Sequence, residues 1–324
     1  MADDRTLCRT VPEGARIDRW RAPDGWDLRR FTWPAASDSA PRGSILFQGG
    51  RGDIFEKYLE TLDHWHRRGW HVTSFDWRGQ GGSGRLTDNP HCGHIDRFEQ
   101  FIDDLAVFFR QWVAQTPAPH VIMGHSMGGH LVLRALAEQR IAPAAAVLIA
   151  PMLGLHGPIG PRFAEWLARR LGGVGNPARP AWKGNEKPYT TDTRAALLTD
   201  DADRYADEIW WQTEKPELLT GPPSWNWVIE AFASTRNLRD PAMLGGVRVP
   251  TLMLIADHDK LVDPRAAHAI AARLPDNRVV RFGRESAHEI LREVDAVRNR
   301  ALAEIDLFLD ARARSGADSV AVVA

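Results

Sequence analysis

Of 324 residues only two, Cys8 and Cys92, are cysteines. That is too few for a disulfide framework and fits a reducing compartment, and nothing in the sequence calls for the two to pair. Charge of one sign is missing as well: 41 basic residues face 42 acidic ones, a formal net charge of -1. The balance argues against a broad nucleic-acid surface and gives no steering toward polyanions. No run approaches the roughly 18 apolar residues needed to span a bilayer, and Met1-Ala2-Asp3-Asp4-Arg5 has no cationic start followed by an apolar core. The expectation is a cytoplasmic protein. The chain is long enough to bury a sizeable core, as one large domain or one domain with an insertion.

What is present is an alternation. Short apolar or β-branched runs at Ser44 to Phe47, His71 to Phe75, His120 to Met123, Ala145 to Ala150, Thr251 to Ala256 and Arg278 to Phe282 read as strands. Helical patterns start near Ile54, Arg97, Met127, Pro264 and Glu289, and strands alternating with helices predict an α/β fold with a mostly parallel sheet. Ala15 to Trp20 and Trp26 to Trp33 flank Pro23-Asp24-Gly25, a turn signal that predicts an antiparallel hairpin ahead of the parallel strands.

One segment breaks the pattern. From about Met152 to Asp240 no clear strand occurs, and short helical patterns cover Phe163 to Leu171 and Asp201 to Gln212. Six of the thirteen tryptophans fall here: Trp166, Trp182, Trp210, Trp211, Trp225 and Trp227. Such aromatics either form the insertion's own small core or wall an apolar binding site, and both roles stay open for different tryptophans.

The chemistry concentrates at Gly124-His125-Ser126-Met127-Gly128, a G-x-S-x-G run between the apolar Val121-Ile122-Met123 and a helical pattern. This is the layout of a nucleophile elbow, in which a serine on a sharp strand-to-helix turn is exposed at a helix N-terminus. Its hydroxyl needs a base and a carboxylate to orient that base. Thr251 to Ala256 ends in Asp257-His258-Asp259-Lys260-Leu261-Val262-Asp263, at the strand edge where sites are built. Asp259 is the expected acid, with Asp263 as a helix cap and Asp257 as a turn residue. His288, in the loop after the last strand, is the expected base. Main-chain N–H groups of Met127 and of Arg51, in the loop Gln48-Gly49-Gly50-Arg51-Gly52-Asp53, are the expected oxyanion donors. The Arg51 guanidinium is expected to pair with Asp53 or Asp76, or to contact a substrate phosphate. His64 with His66, and His91, Cys92 and His94, lack a four-ligand zinc spacing, so no metal site is expected.

These runs, with Asp76-Trp77-Arg78-Gly79-Gln80-Gly81-Gly82-Ser83-Gly84, Gly93-His94-Ile95 and Ala287-His288-Glu289, make the chain similar to the α/β-hydrolase superfamily. Within it the chain resembles the serine hydrolases that include monoacylglycerol lipases and bacterial lysophospholipases of the L2 kind. The lysophospholipase branch is suggested by Gly50-Arg51-Gly52-Asp53 with Glu56-Lys57-Tyr58, and by Trp77-Arg78-Gly79-Gln80-Gly81. Position by position the resemblance places a triad on Ser126, Asp259 and His288 and oxyanion donors on Arg51 and Met127. It departs at the oxyanion loop, where many relatives carry His-Gly and this chain has Gly49-Gly50.

The resemblance implies a hydrolase core over 1–151 and 241–312, a cap over 152–240 and a flexible tail over 313–324. It implies cleavage of a lipid ester, a lysophospholipid or monoacylglycerol, through an acyl-enzyme and with no cofactor. Arg162, Arg169 and Arg170 beside Phe163, Trp166, Leu167 and Leu171 would suit transient contact with a membrane surface. Two alternatives stay open. A prolyl-iminopeptidase-like peptidase would need an acidic subsite, for which Glu165, Glu208 and Glu214 are candidates; a silent receptor would bind a hydrophobic ligand on the same fold.

Overall fold

The computed structural model describes residues 8–36, 40–155, 161–172, 174–181 and 191–313. The expected hairpin opens it: β1 (Arg16–Arg21) and β2 (Asp27–Trp33) run antiparallel, with Gly25 at φ 87° in the turn, a left-handed backbone glycine adopts without penalty. Next come β3 (Gly43–Gln48), α1 (Leu59–His66), β4 (Trp70–Phe75), α2 (Glu99–Gln115), β5 (His120–His125), α3 (Met127–Ala137) and β6 (Ala145–Ile149). A helical stretch follows: α4 (Pro161–Gly172), α5 (Thr191–Leu198), α6 (Ala202–Glu214), α7 (Trp225–Asn237) and the one-turn α8 (Pro241–Leu244). The alternation then resumes with β7 (Thr251–Ala256), α9 (Pro264–Ala271), β8 (Asn277–Phe282) and α10 (Asp295–Arg312).

All eight strands form one sheet in the order β1-β2-β4-β3-β5-β6-β7-β8. β2 meets β4 antiparallel, and every pair from β4 to β8 is parallel. Side chains alternate across a strand, so a sheet covered on both faces needs unbroken apolar runs. Ile45 and Phe47 of β3, Val121 and Met123 of β5, and Leu252 and Leu254 of β7 pack with α1 and α10. Their neighbours Leu46, Ile122 and Met253 pack with α2, α3 and α9. Each such buried side chain contributes about 1.5–3 kcal/mol. This two-sided packing makes the C-terminal edge of the parallel strands a firm platform for the loops that leave it.

Two helices start later than their apolar periodicity predicts. The one expected from Ile54 opens as a 3₁₀ turn, Phe55–Tyr58, and the one expected from Glu289 opens as a 3₁₀ turn, Ile290–Arg292. Lys57 and Arg292 in these turns, and Glu289 just ahead of the second, are engaged in buried ion pairs that periodicity does not register. Asp201, Asp240 and Asp263 cap α6, α8 and α9 by accepting from main-chain N–H groups two or three residues on. Cys8 and Cys92 are free thiols. Among the described residues no helix is long and apolar enough to cross a membrane. The tail expected over 313–324 lies, beyond Ala313, outside the described residues.

Candidate active site

β5 ends at His125 and α3 begins at Met127, which leaves Ser126 alone in the turn at φ 52° and ψ -116°. A side chain at positive φ is strained and persists only where its surroundings hold it. Here the Ser126 N–H donates to the Ile149 carbonyl at 2.9 Å, and its own carbonyl accepts from the N–H of Met152 at 2.9 Å and of His130 at 3.1 Å. The flanking glycines are required by space. A Cβ on Gly124 would stand 2.6 Å from the main chain of Gly128, and one on Gly128 would stand 2.4 Å from the Gly49 carbonyl oxygen.

Ser126 Oγ lies 2.9 Å from His288 Nε2, and His288 Nδ1 lies 2.6 Å from Asp259 Oδ2. The other oxygen of Asp259 accepts from the N–H of Leu261 at 2.7 Å and of Val262 at 3.1 Å, which fixes the carboxylate. Its two neighbours are occupied elsewhere. Asp257 binds His268 at 2.7 Å and Arg281, and Asp263 caps α9. Burial disfavours charge on His288, but Asp259 outweighs it and holds the imidazole pKa above its ordinary value. Burial likewise pushes Asp259 up, yet His288 and the two N–H donors bring it below the usual carboxylate value. An ionised Asp259 keeps the proton on Nδ1, so Nε2 accepts from the serine hydroxyl.

The loop after β3 packs directly on this serine: a Cβ on Gly50 would lie 3.0 Å from Ser126 Cβ. Asp53 braces the loop. Its Oδ2 accepts from Gly50 N–H and Tyr58 Oη–H, both at 2.7 Å, and its Oδ1 accepts from Lys57 at 2.7 Å. The N–H of Gly52 donates to Gln80 at 2.6 Å. Arg51 is thereby held between two tethered glycines. Met127 opens α3, so its N–H is one of the helix's first four, which have no intrahelical acceptor. The side chain of Arg51 does not take the expected ion pairs. Asp53 is held by Lys57 and Asp76 by Arg29, while the Arg51 guanidinium donates to the Gly221 carbonyl at 3.0 Å and lies 5.5 Å above the Trp227 ring.

Ser126 and His288 open into a cavity of about 430 Å³. Its apolar wall includes Met152, Leu155, Leu197, Leu198, Trp227 and Val262. Among the tryptophans expected there, Trp227 takes that place; Trp210 and Trp211 pack with the α1 and α10 side of the core, Trp225 meets Arg179, and Trp166 is exposed beside Phe163. Trp182 lies outside the described residues. Most of the described tryptophans of this segment therefore pack against the sheet's core or lie at the surface, and only Trp227 among them walls the cavity. Of the acids weighed for an amine subsite, Glu165 pairs with Arg169 and Arg236, Glu208 with Lys57, Arg194 and Arg292, and Glu214 is exposed. His64 binds Asp306, His66 stacks on Trp33 and meets the Pro34 carbonyl, and His94 binds Ser224 and Asp96.

Sequence reading missed the support of this site. His125 stands with its ring 4.8 Å from that of His288 and its Nδ1 2.8 Å from Tyr58 Oη. The end of α5 also meets the histidine loop, where Glu289 N–H donates to the Leu198 carbonyl at 2.7 Å. His125 lies inside the elbow motif; α5 carries no motif, and its hydrogen bonds to the histidine loop are main-chain.

The family model described as serine aminopeptidase, S33 (Hydrolase_4) matches residues 39–295. The chain is 32% identical over 291 residues to lysophospholipase L2 of Escherichia coli strain K12, covering 86% of this chain and 84% of that one. It is 27% identical over 283 residues to the probable lysophospholipase L2 of Haemophilus influenzae, covering 84% and 85%. Among solved structures, a soluble variant of monoglyceride lipase from Saccharomyces cerevisiae, in complex with a substrate analog, superposes with a TM-score of 0.73 at 18% identity, over 94% of this chain and 98% of that one. Sheet order, elbow and matched span agree, and the chain belongs to the Hydrolase_4 family of α/β-hydrolases.

Proposed function

We propose that this carboxylic ester hydrolase cleaves lipid esters of the lysophospholipid or monoacylglycerol class through an acyl-enzyme. The reading is carried by one observation: Ser126, His288 and Asp259 are joined by hydrogen bonds of 2.9 and 2.6 Å at the mouth of a largely apolar cavity. His288 Nε2 takes the Ser126 proton as Oγ attacks the ester carbonyl. The oxyanion forms against the N–H groups of Arg51 and Met127, where the start of α3 favours negative charge. His288 then protonates the leaving alcohol. Water, deprotonated by the same nitrogen, releases the fatty acid. Asp259 acts through His288, as a positioning residue that stabilises the imidazolium.

Residues 152–240 are read as a cap whose inner side supplies Leu155, Leu197, Leu198 and Trp227 to the acyl site. Its outer side supports contact with a lipid surface: Phe163, Trp166 and Leu171 are 40%, 51% and 45% exposed on α4, beside Arg169 and Arg170. The peptidase alternative loses support, since Glu165 and Glu208 already face cations.

The test is labelling by a fluorophosphonate, wild type beside Ser126→Ala, followed by fatty-acid release from lysophosphatidylcholine, monoolein, p-nitrophenyl butyrate and a proline arylamide. Labelling and lipid hydrolysis are expected in the wild type and neither in the variant. Ester hydrolysis retained by Ser126→Ala would sink the mechanism. Unlabelled wild type would favour a ligand-binding protein, and cleavage of the arylamide alone a peptidase.

A further inference from the structure

His288 is tied down on both sides of its place in the chain, and the two ties differ in kind. After it, Glu289 joins the buried ion pairs with Lys57 and Arg292. Before it, the anchor is the main-chain N–H of Ala287, which donates to Glu293 Oε1 at 2.6 Å. The second oxygen of Glu293 turns toward the helical insertion. Oε2 accepts from the Asp200 N–H at 3.0 Å, lies 3.3 Å from the Thr199 hydroxyl, and meets the N–H of its own neighbour Val294 at 3.4 Å. One carboxylate therefore joins the residue next to the imidazole to the residues that end α5.

The junction continues along the chain. The His288 N–H points to the Leu197 carbonyl at 3.4 Å, the Glu289 N–H donates to the Leu198 carbonyl at 2.7 Å, and the Thr199 hydroxyl donates to the Arg292 carbonyl at 2.8 Å. Residues 197–200 thus each bond to the stretch 287–293. Leu197 and Leu198 also line the cavity, so the wall and the histidine loop share one attachment.

Glu293 is fully buried, and every donor to its carboxylate is a neutral N–H or O–H group. Burying an acid away from a counter-charge is costly, so this one is placed by geometry and not by charge balance. A carboxylate can accept on both of its sides at once. An amide of the same shape offers one acceptor and sets its own donors against the remaining N–H groups.

We infer that Glu293 is a positioning residue for His288, a clamp that holds the loop of the imidazole against the end of α5. The inference rests on the ester-hydrolase reading of this site and names what keeps its base in place. Glu293 touches neither Ser126 nor the His288 ring; it acts through Ala287, the residue adjoining the base.

The experiment compares ethyl butyrate with p-nitrophenyl butyrate in wild type, Glu293→Gln and Thr199→Val. The last variant removes a hydroxyl on the insertion side without altering charge. A displaced imidazole fails most where it must protonate the leaving group, which ethoxide requires and p-nitrophenolate does not. In Glu293→Gln, kcat/KM for ethyl butyrate is expected to fall about tenfold further than for p-nitrophenyl butyrate, and in Thr199→Val about threefold further. Loss of folded protein lowers both esters alike, so equal losses, or none, would overturn the clamp. A second readout needs no turnover. The proton that His288 Nδ1 shares with Asp259 across 2.6 Å resonates far downfield, is identified by its absence from His288→Gln, and should move upfield in Glu293→Gln as that contact lengthens. An unmoved resonance would likewise overturn the clamp. If the wild type cleaves neither ester, the hydrolase reading fails, and the resonance alone decides for or against Glu293.

Discussion

At the scale of single residues, three aspartates within seven positions have three different duties, and hydrogen bonding separates them. Asp257 is held by His268 and Arg281, Asp263 caps α9, and Asp259 faces His288. Asp259→Asn is therefore expected to lower kcat by about 10³- to 10⁴-fold with KM little changed, because the amide neither stabilises the imidazolium nor enforces the Nδ1–H tautomer. Asp263→Asn, which keeps a capping oxygen, should stay within about threefold of wild type. The same contact sets a pH dependence. In the proposed mechanism His288 must be neutral to accept the serine proton, and its pKa is raised, so activity is expected to fall as pH drops through a midpoint above the ordinary imidazole value of about 6.5. Removing the Asp259 charge takes away what raises it, so the acid limb of kcat/KM should move to lower pH in Asp259→Asn. A limb that does not move would show that another group titrates there. That Ser126, Asp259 and His288 come together was legible in the chain, since each follows an apolar strand run at the sheet edge.

Among elements, the elbow shows why that legibility was high. β5, α3 and the loop after β3 converge where only glycine fits, so the spatial demand is written into adjacent letters, Gly124 and Gly128. Gly128→Ala would drive a methyl group into the carbonyl oxygens of Gly49 and Gln48, at 2.4 and 2.5 Å. The loop after β3 must then move off the serine. A loss of roughly 3 kcal/mol or more is expected, together with activity, and a thermal melt against wild type reads it. The helices between β6 and β7 were far less legible. Their tryptophans carry no period that separates a cavity wall from self-packing, and Trp227 differs from Trp225 only by half a helical turn. α4 is the exception, because its exposed Phe163 and Trp166 accompany Arg169 and Arg170 on a short helix. Replacing both aromatics, in Phe163→Ser/Trp166→Ser, is expected to weaken sedimentation with anionic vesicles about tenfold while leaving hydrolysis of a monomeric ester near wild type. Unchanged sedimentation would remove α4 from any lipid contact.

For the molecule as a whole, the link between the helical insertion and the sheet is ionic as much as apolar. Lys57 follows β3, Arg194 and Glu208 stand on α5 and α6, and Glu289 and Arg292 follow β8, yet they form one buried cluster with Asp53. Partners such as Lys57 and Glu289 are 232 positions apart, and no local pattern announces them. This is why the strands and the serine could be read from the sequence while the brace behind them could not. Buried charges stay stable only in company: removal of one partner typically costs about 3–5 kcal/mol, because the rest remain desolvated without compensation. Lys57 is 4% exposed at its side chain and serves three carboxylates, so Lys57→Met should be the most destabilising single change in the cluster. Its urea midpoint is expected to fall well below that of wild type. Adding Glu208→Gln should then recover part of the loss, since it withdraws one of the stranded charges, although Glu208→Gln alone leaves Arg194 and Arg292 short of a partner and destabilises. That reversal of sign between the two backgrounds distinguishes a coupled ionic brace from ordinary packing, which would make the two losses add.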